Sequence, residues 1–468
     1  MIALLLLTAQ ILAPSQPAAE QAFAAAVSEA QLRRTVHDLV AAGPRMGGTP
    51  SGDQAAALLH DAFTRLGFAT ETFTDPPKLA HWEDAWKVTL GSGEVIESAW
   101  PYGYSASIAE TSGPLLVVPN LASATPDAAW KGAVIYTPGD VVRAYAAIAS
   151  NPNRPLAILT SAPNAPPRYL DWTRISELPA RAGHPVPVFG VSYLDGRTLD
   201  AAAALKTTVR VSLTSHVDER PPKTVVATLP GRERGRYYLV CAHGDSDAGG
   251  PGADDNASGV ATVLEIARVF AELRRTNVLP QLRYDIRFAV WGSEYHSSKA
   301  YIEREGARLG ELAAVFNFDE TGTGAEREAL YFESNDVPWN APLLKTLEAV
   351  AADYAGQPGF WTEYTTNPSQ GGTDSYAFLP VTYHGTGTTT LEIPATTIYT
   401  AAWDRLASLK QTPGWASKGV ADPVNLKIDY SLYYHSSGDT PENTTDREPQ
   451  NMVKAVKVTG LALLRLNR

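Results

Sequence analysis

Tyr238-Leu-Val-Cys-Ala-His243-Gly-Asp245, followed closely by Gly252-Ala-Asp254-Asp255-Asn256-Ala-Ser-Gly259, is the stretch on which fold and chemistry both turn. An apolar run ends in a histidine, and eleven residues later an Asp-Asp pair opens a helical pattern. A short apolar run without polar alternation predicts a strand covered on both faces. Asn256 to Arg275 carries Val260, Val263, Leu264, Ala267 and Phe270 at helical spacing and predicts the helix that follows. One imidazole and one or two carboxylates are thereby gathered at the end of a buried strand, as a catalytic metal site requires. A lone histidine at a strand end is more often structural, and a lone Asp-Asn before a helix is more often only an N-cap. The reading rests on their order and combination.

Outward from this stretch the strand-loop-helix alternation continues. Tyr284 to Trp291 and Ala313 to Phe318 are further apolar runs, and Glu294 and Asp319 follow them as His243 follows the first. His435 comes late, in Tyr434-His-Ser-Ser-Gly-Asp439-Thr. Such alternation implies an α/β fold, a mainly parallel mixed sheet flanked by helices. Ligands bind such sheets beyond the carboxyl ends of the strands. An amphipathic helix, Asn451 to Leu464, closes the chain. Upstream, Leu32, Val36, Leu39 and Val40 mark a helix from Ser28 to Val40 that Gly43-Pro44 ends. Leu59, Ala62, Phe63 and Leu66 mark a second helix, capped by Gly67. Residues 101–217 read differently, as short β-like runs between Pro- and Gly-rich turns, with no His/Asp/Glu cluster. The expected organisation is a catalytic unit from 20–100 and 218–468, with an inserted small β-rich domain at 101–217. Residues 384–430 carry little pattern beyond a helical stretch around Ala402 to Leu409.

Of 468 residues, 44% are hydrophobic and 19% charged, and the net charge is −11. The chain is therefore globular with ample core. With no basic run, nucleic acid is excluded as a partner. The single cysteine, Cys241, excludes an internal disulfide and reads as a small buried hydrophobe within its strand. Ile2 to Ala13 is apolar but too short to span a bilayer. With the small residues from Ala18 to Ala24 it reads as a signal peptide over residues 1–19, although no basic residue precedes it. A periplasmic or secreted protein, with no membrane span after leader removal, is expected.

With these motifs in order, the chain resembles the co-catalytic zinc exopeptidases typified by bacterial leucyl aminopeptidase and glutamate carboxypeptidase. The middle segment is similar to the protease-associated domain that many members carry, through Lys131-Gly-Ala-Val-Ile-Tyr136, Pro187-Val-Phe-Gly-Val191 and Asp195-Gly-Arg-Thr-Leu199. The resemblance implies zinc as cofactor, peptides as substrate and, foremost, aminopeptidase activity. It implies His243, Asp254, Asp319 and His435 as metal ligands, with Asp254 bridging two cations. Glu294 is implied as general base and Asp245 as the catalytic partner that fixes the His243 imidazole. Asp255 is implied to set the local backbone through an unusual peptide geometry, and Asp374 in Gly371-Gly-Thr-Asp-Ser-Tyr376 to support the pocket.

One departure stands out. The family follows the general base with a second glutamate that binds metal. Here Phe288-Ala-Val-Trp-Gly-Ser-Glu294-Tyr295-His296 puts Tyr295 at that place and shortens the turn after it. Two protein ligands hold zinc poorly, so one tight and one labile zinc are expected, unless Glu294 or His296 serves as a ligand. Two rival readings follow: a non-catalytic relative resembling the transferrin receptor, and a single-zinc aminoacyl transferase resembling glutaminyl cyclase. Substrate side-chain specificity is expected to lie in loops within 360–430.

Overall fold

Two sheets organise the computed structural model, which describes residues 16–139, 141–161, 178, 184–246, 250–324, 328–334, 337–368, 372–379, 391–401 and 433–467. In chain order the strands are β1 (Ala69–Thr74), β2 (Lys78–Leu90), β3 (Trp100–Pro101), β4 (Ile108–Val117), β5 (Val134–Pro138), β6 (Ala157–Ser161), β7 (Val188–Val191) and β8 (Thr208–Arg220). They continue as β9 (Lys223–Leu229), β10 (Tyr237–His243), β11 (Asp285–Trp291), β12 (Leu312–Phe318), β13 (Ala329–Ser334), β14 (Glu363–Pro368) and β15 (Ala395–Tyr399). The helices are α1 (Gln16–Ala26), α2 (Glu29–Ala41), α3 (Pro50–Arg65), α4 (Val142–Ala149), α5 (Tyr193–Ala204), α6 (Gly259–Arg275), α7 (His296–Glu305), α8 (Ala341–Tyr354) and α9 (Gln450–Leu466).

The larger sheet runs β1-β9-β11-β10-β12-β15-β13-β14. At its centre β10 pairs in parallel with β11 on one side and β12 on the other. Every residue of β10 is buried, which explains its unbroken apolar sequence. The carboxyl ends of β10, β11 and β12 therefore open side by side, and His243, Glu294 and Asp319 stand at or just past them. One face of the sheet packs against helices in a single cluster that includes Phe23, Phe63, Phe270 and Val456. The other face gathers Leu239, Cys241, Trp291, Tyr301 and Tyr376. Helix α9 is buried nearly all round rather than on one stripe, because α1, α6 and α8 all pack on it.

The smaller sheet runs β2-β8-β4-β5-β6-β7-β3 and has its own apolar clusters on its two faces. It differs from the sequence expectation in two respects. It begins at Lys78, not 101: β2 pairs with β8 from Lys78↔Arg220 to Leu90↔Val209. An irregular register between Glu83 and Ala85 breaks the alternation that would have marked β2 as a strand. The sheet is also not purely β. Strands β4, β5, β6 and β7 pair in parallel in that order, and parallel neighbours need crossovers. Helix α4 lies on the connection from β5 to β6, and α5 follows β7 on the way to β8.

The chain leaves and re-enters the larger sheet at one point. Thr74 pairs with Lys223, and the Asp75 amide donates to the Pro222 carbonyl at 2.9 Å. The helical stretch expected around Ala402 to Leu409, and most of 384–430, lie outside the described residues, as does the apolar run Ile2 to Ala13. Among the described residues no helix is long and apolar enough to cross a membrane.

Candidate metal centre

His243 ends β10, and Asp245 fixes its ring. Nδ1 lies 3.1 Å from the Asp245 carbonyl oxygen and 3.2 Å from its Oδ1. That leaves Nε2 facing forward, 3.4 Å from Asp319 Oδ1 and 3.4 Å from Asp255 Oδ1. On the far side, His435 Nε2 stands 2.9 Å from Asp255 Oδ2. Asp255 thus turns one oxygen to each imidazole. Donors about 2.0–2.2 Å from a tetrahedral zinc lie roughly 3.4 Å from one another. The donor atoms of His243, Asp255 and Asp319 all lie within 4.8 Å of one another in a buried cluster. Buried carboxylates at this density need a compensating cation, and the donor set and spacing fit a divalent metal.

Asp255, not Asp254, is the carboxylate that meets both histidines. Asp254 is fully buried and turned to the loop after β12. Its Oδ1 accepts the Gly322 amide at 2.7 Å and its Oδ2 the Thr323 hydroxyl at 2.7 Å. The physical reason is local. A π-type turn spans Ala253–Ser258, and Asp255 within it is extended, at φ −105° and ψ 95°. Successive side chains therefore leave on opposite sides. The Asp255–Asn256 peptide, which follows the residue that meets both histidines, is cis. Helix α6 starts at Gly259, after this turn, and not at Asn256.

Two residues that build the site escaped the sequence reading. Asp439 is buried and accepts the amides of Asp254 at 2.7 Å and Asp255 at 3.0 Å, fixing the turn from behind. The only signal was its place in the His435 motif. Arg45 is 1% exposed and donates to the carbonyls of Gly244 at 3.1 Å, Pro251 at 2.7 Å and Gly252 at 2.7 Å. It ties the chain between His243 and the aspartates from the inside. In sequence it is an arginine in a glycine-rich loop, where burial is not legible.

Glu294 follows β11, and its amide donates to Asp245 Oδ1 at 2.9 Å. Burial, then the carboxylates of Asp319, Asp374 and Asp255, hold its carboxyl well above the usual range against the opposing pull of His243. Burial by itself lowers the His243 imidazole, but Asp319, Glu294 and Asp245 outweigh it and raise it well above an ordinary histidine. The Tyr434 phenol is raised by burial, then by Asp255, Glu320, Glu294 and Asp319, and stays protonated. Its ring stacks on His435 at 3.7 Å between centroids.

The residues after Glu294 turn away. The Tyr295 amide donates to Asp374 Oδ1 at 2.8 Å, and its ring meets Tyr376 edge-on at 5.0 Å. Burial pushes the Asp374 carboxyl up to about 7. His296 Nε2 lies 2.7 Å from the Pro76 carbonyl, so its ring is committed away from the cluster. Tyr295, Glu320 and His435 all hold left-handed backbone, at φ 54°, 49° and 48°. Non-glycine residues rarely adopt this conformation, and they do so most often at functional sites.

The family model for peptidase family M28 matches residues 224–459. The chain is 24% identical over 268 residues to leucine aminopeptidase 2 of Arthroderma otae, covering 55% of this chain and 48% of that protein. It is 28% identical over 289 residues to the probable lipoprotein aminopeptidase LpqL of Mycobacterium tuberculosis, covering 59% of this chain and 55% of that one. The chain thus spans about half the length of the curated relatives it matches. Among solved structures, BSAP, a zinc aminopeptidase from Bacillus subtilis, superposes with a TM-score of 0.62 at 20% identity, over 94% of this chain and 95% of that one. A peptidase M28 precursor from Shewanella amazonensis superposes at 0.63 and 17% identity, over 96% of each. At these identities the likeness is one of fold.

Proposed function

The chain belongs to peptidase family M28, and on that premise we propose that it is a zinc-dependent aminopeptidase acting on the N-terminal residues of peptides. The observation that carries this reading is Asp255 held between His243 and His435, with Asp319 closing the first cluster. His243, Asp255 and Asp319 are the residues that would hold one zinc, and Asp255 and His435 lie where a second would sit. When bound, zinc supplies a water of lowered pKa and an electrophile for the scissile carbonyl. Asp245 keeps the His243 proton on Nδ1, so that Nε2 is free as a ligand. Glu294 accepts a proton from the attacking water and returns it to the amine that leaves. The Tyr434 phenol remains a hydrogen-bond donor beside these carboxylates, suited to an oxygen that gains charge.

The charge of the site favours an amino terminus over a carboxyl terminus. Glu294, Asp319 and Asp374 crowd one space, while the buried Arg45 guanidinium is spent on the carbonyls of Gly244, Pro251 and Gly252. A substrate ammonium is stabilised there and a free carboxylate is repelled. Of the two cation positions, the one at His243 is the tighter and the one at His435 the more labile.

Leader removal followed by export fits the N-terminal run. The supporting geometry is that Glu20 and Phe23 are already buried in the folded body, so cleavage falls before them. The similarity of the middle segment to a protease-associated domain makes residues 78–220 a module that shapes substrate access.

The test is turnover of aminoacyl anilides by wild type and Glu294→Gln, with zinc content measured on both. Loss of about 10² to 10⁴ in rate with zinc retained is expected of a general base. Loss of zinc with residual turnover would make Glu294 a ligand instead. Tyr295, where a second acidic ligand is expected, favours the rival reading of a non-catalytic relative. Zinc-loaded protein with no turnover of any peptide library member would establish that rival.

A further inference from the structure

The turn that carries Glu294 is tied down on the side away from Asp245 as well. The ladder between β9 and β11 ends at Val225↔Val290, yet Gly292 beyond it is still held. Its amide donates to the Thr224 hydroxyl at 3.3 Å, and that hydroxyl donates to Asp75 Oδ2 at 2.6 Å. Thr224 and Asp75 are both buried. One residue further, Lys78 Nζ donates to the hydroxyl of the buried Ser293 at 2.9 Å. Main chain packs on main chain at the same place. A Cβ on Gly292 would overlap the Lys223 backbone, and one on Gly47 would overlap the Gly292 carbonyl. Asp75, Lys78 and Thr224 lie where the chain crosses between the two sheets, since β1 ends at Thr74, β2 begins at Lys78 and β9 begins at Lys223. Both crossings are thus fastened to the two residues that precede Glu294. On the other side the Glu294 amide is held by Asp245 Oδ1, the oxygen that also meets the His243 ring.

We propose that Thr224 and Lys78 are positioning residues for Glu294, clamping the crossings between the two sheets onto the turn that aims its carboxylate. The proposal rests on the reading of Glu294 as general base and deepens it. A general base acts only within hydrogen-bond reach of the proton it takes, and a misplacement of about 1 Å costs on the order of 10²-fold in rate. Thr224 serves because its one hydroxyl proton is committed to the Asp75 carboxylate, which leaves the oxygen lone pairs for the Gly292 amide. Lys78 serves because it is the first residue of β2, so the seating of the smaller sheet is felt at Ser293.

The experiment is kcat, KM for an aminoacyl anilide and zinc content on the full chain, for Thr224→Val and Lys78→Met, each alone and combined with Glu294→Gln. Thr224→Val keeps the branched shape and removes the hydroxyl. Lys78→Met lies at a half-buried position and decides the matter if the first variant does not fold. Each is expected to lower kcat about 10-fold or more with KM and zinc content unchanged, and Thr224→Ser and Lys78→Arg should restore most of the loss. In the Glu294→Gln background neither should cost anything further, because the effect runs through that carboxylate. Unchanged kcat in folded Lys78→Met, a change confined to KM, loss of zinc, or equal losses in both backgrounds overturns the proposal and leaves the peptidase reading standing. A wild type that turns over no anilide or peptide overturns both. Amide exchange gives a readout independent of turnover. Residues 292–297 should exchange ~2- to 10-fold faster in Lys78→Met than in wild type, the range that the net worth of one hydrogen bond sets. Unchanged exchange overturns the clamp.

Discussion

At the residue scale, the adjacent aspartates carry opposite duties, and two substitutions separate them. Asp255→Ala removes the group that faces both imidazoles and should release zinc from both positions, abolishing turnover. Asp254→Ala strips the Gly322 amide and the Thr323 hydroxyl of their buried acceptor. It should cost about 1–3 kcal/mol of stability for each unpaired group while the His243 position still binds zinc. Metal analysis and thermal unfolding on the two variants read this directly. The titration of His243 gives a second expectation. Its imidazole is raised well above an ordinary histidine in the metal-free site, and zinc and the proton compete for it. As pH falls, the proton wins first, so zinc affinity should decline from above the ordinary histidine range rather than only below it. Zinc dissociation constants measured across neutral pH would show this; a pH-independent constant down to pH about 6.5 would oppose it.

Among the elements, legibility followed burial. Strands β10, β11 and β12 were readable because burial on both faces writes an unbroken apolar run. Glu294, His243 and Asp319 could be placed because strand ends are where such sheets put their ligands. The choice between Asp254 and Asp255 was not legible, because it depends on one turn that sends adjacent side chains apart. Arg45 was not legible either, because its partners are carbonyls about two hundred residues away in the chain. Strand β2 was hidden by its register shift, and the smaller sheet's boundary moved with it. That boundary has a consequence. Thr74 and Lys223 are direct partners, so replacing residues 77–220 with a short turn leaves a closed hairpin of β1 and β9. Excising 101–217 instead removes most of β8 and leaves β2 without its partner. The first deletion should yield a soluble, zinc-binding core with altered peptide preference, and the second should aggregate through an exposed edge. Solubility and metal content of the two proteins compare them.

For the whole molecule, the two ends of the described chain hold each other. Helix α1 lies against α9, with Phe23 fully buried and its ring 4.8 Å from that of Phe270. A Cβ at Gly460 would overlap the Phe23 ring, so the glycine in mid-helix is what lets the two helices close. Arg465 donates to both Glu20 oxygens, at 2.9 and 3.0 Å, and Tyr354 adds a bond of 2.8 Å. The N-terminal helix is therefore part of the same core that backs β10 and its histidine. Phe23→Ala should cost about 3–5 kcal/mol, and Gly460→Ala should destabilise by overpacking. The ionic latch adds a pH dependence. Burial raises Glu20, but Arg465, Gln16 and Tyr354 outweigh it and leave its folded pKa below the ordinary value of 4.5. A depressed carboxylate contributes stability above its unfolded pKa and loses it as pH falls through the folded one. Wild type should therefore exceed Glu20→Gln in melting temperature at pH 7, with the gap closing as the pH drops below 4.5. A gap that stayed constant through that range would mean that α1 is held by Phe23 alone and that the latch contributes nothing.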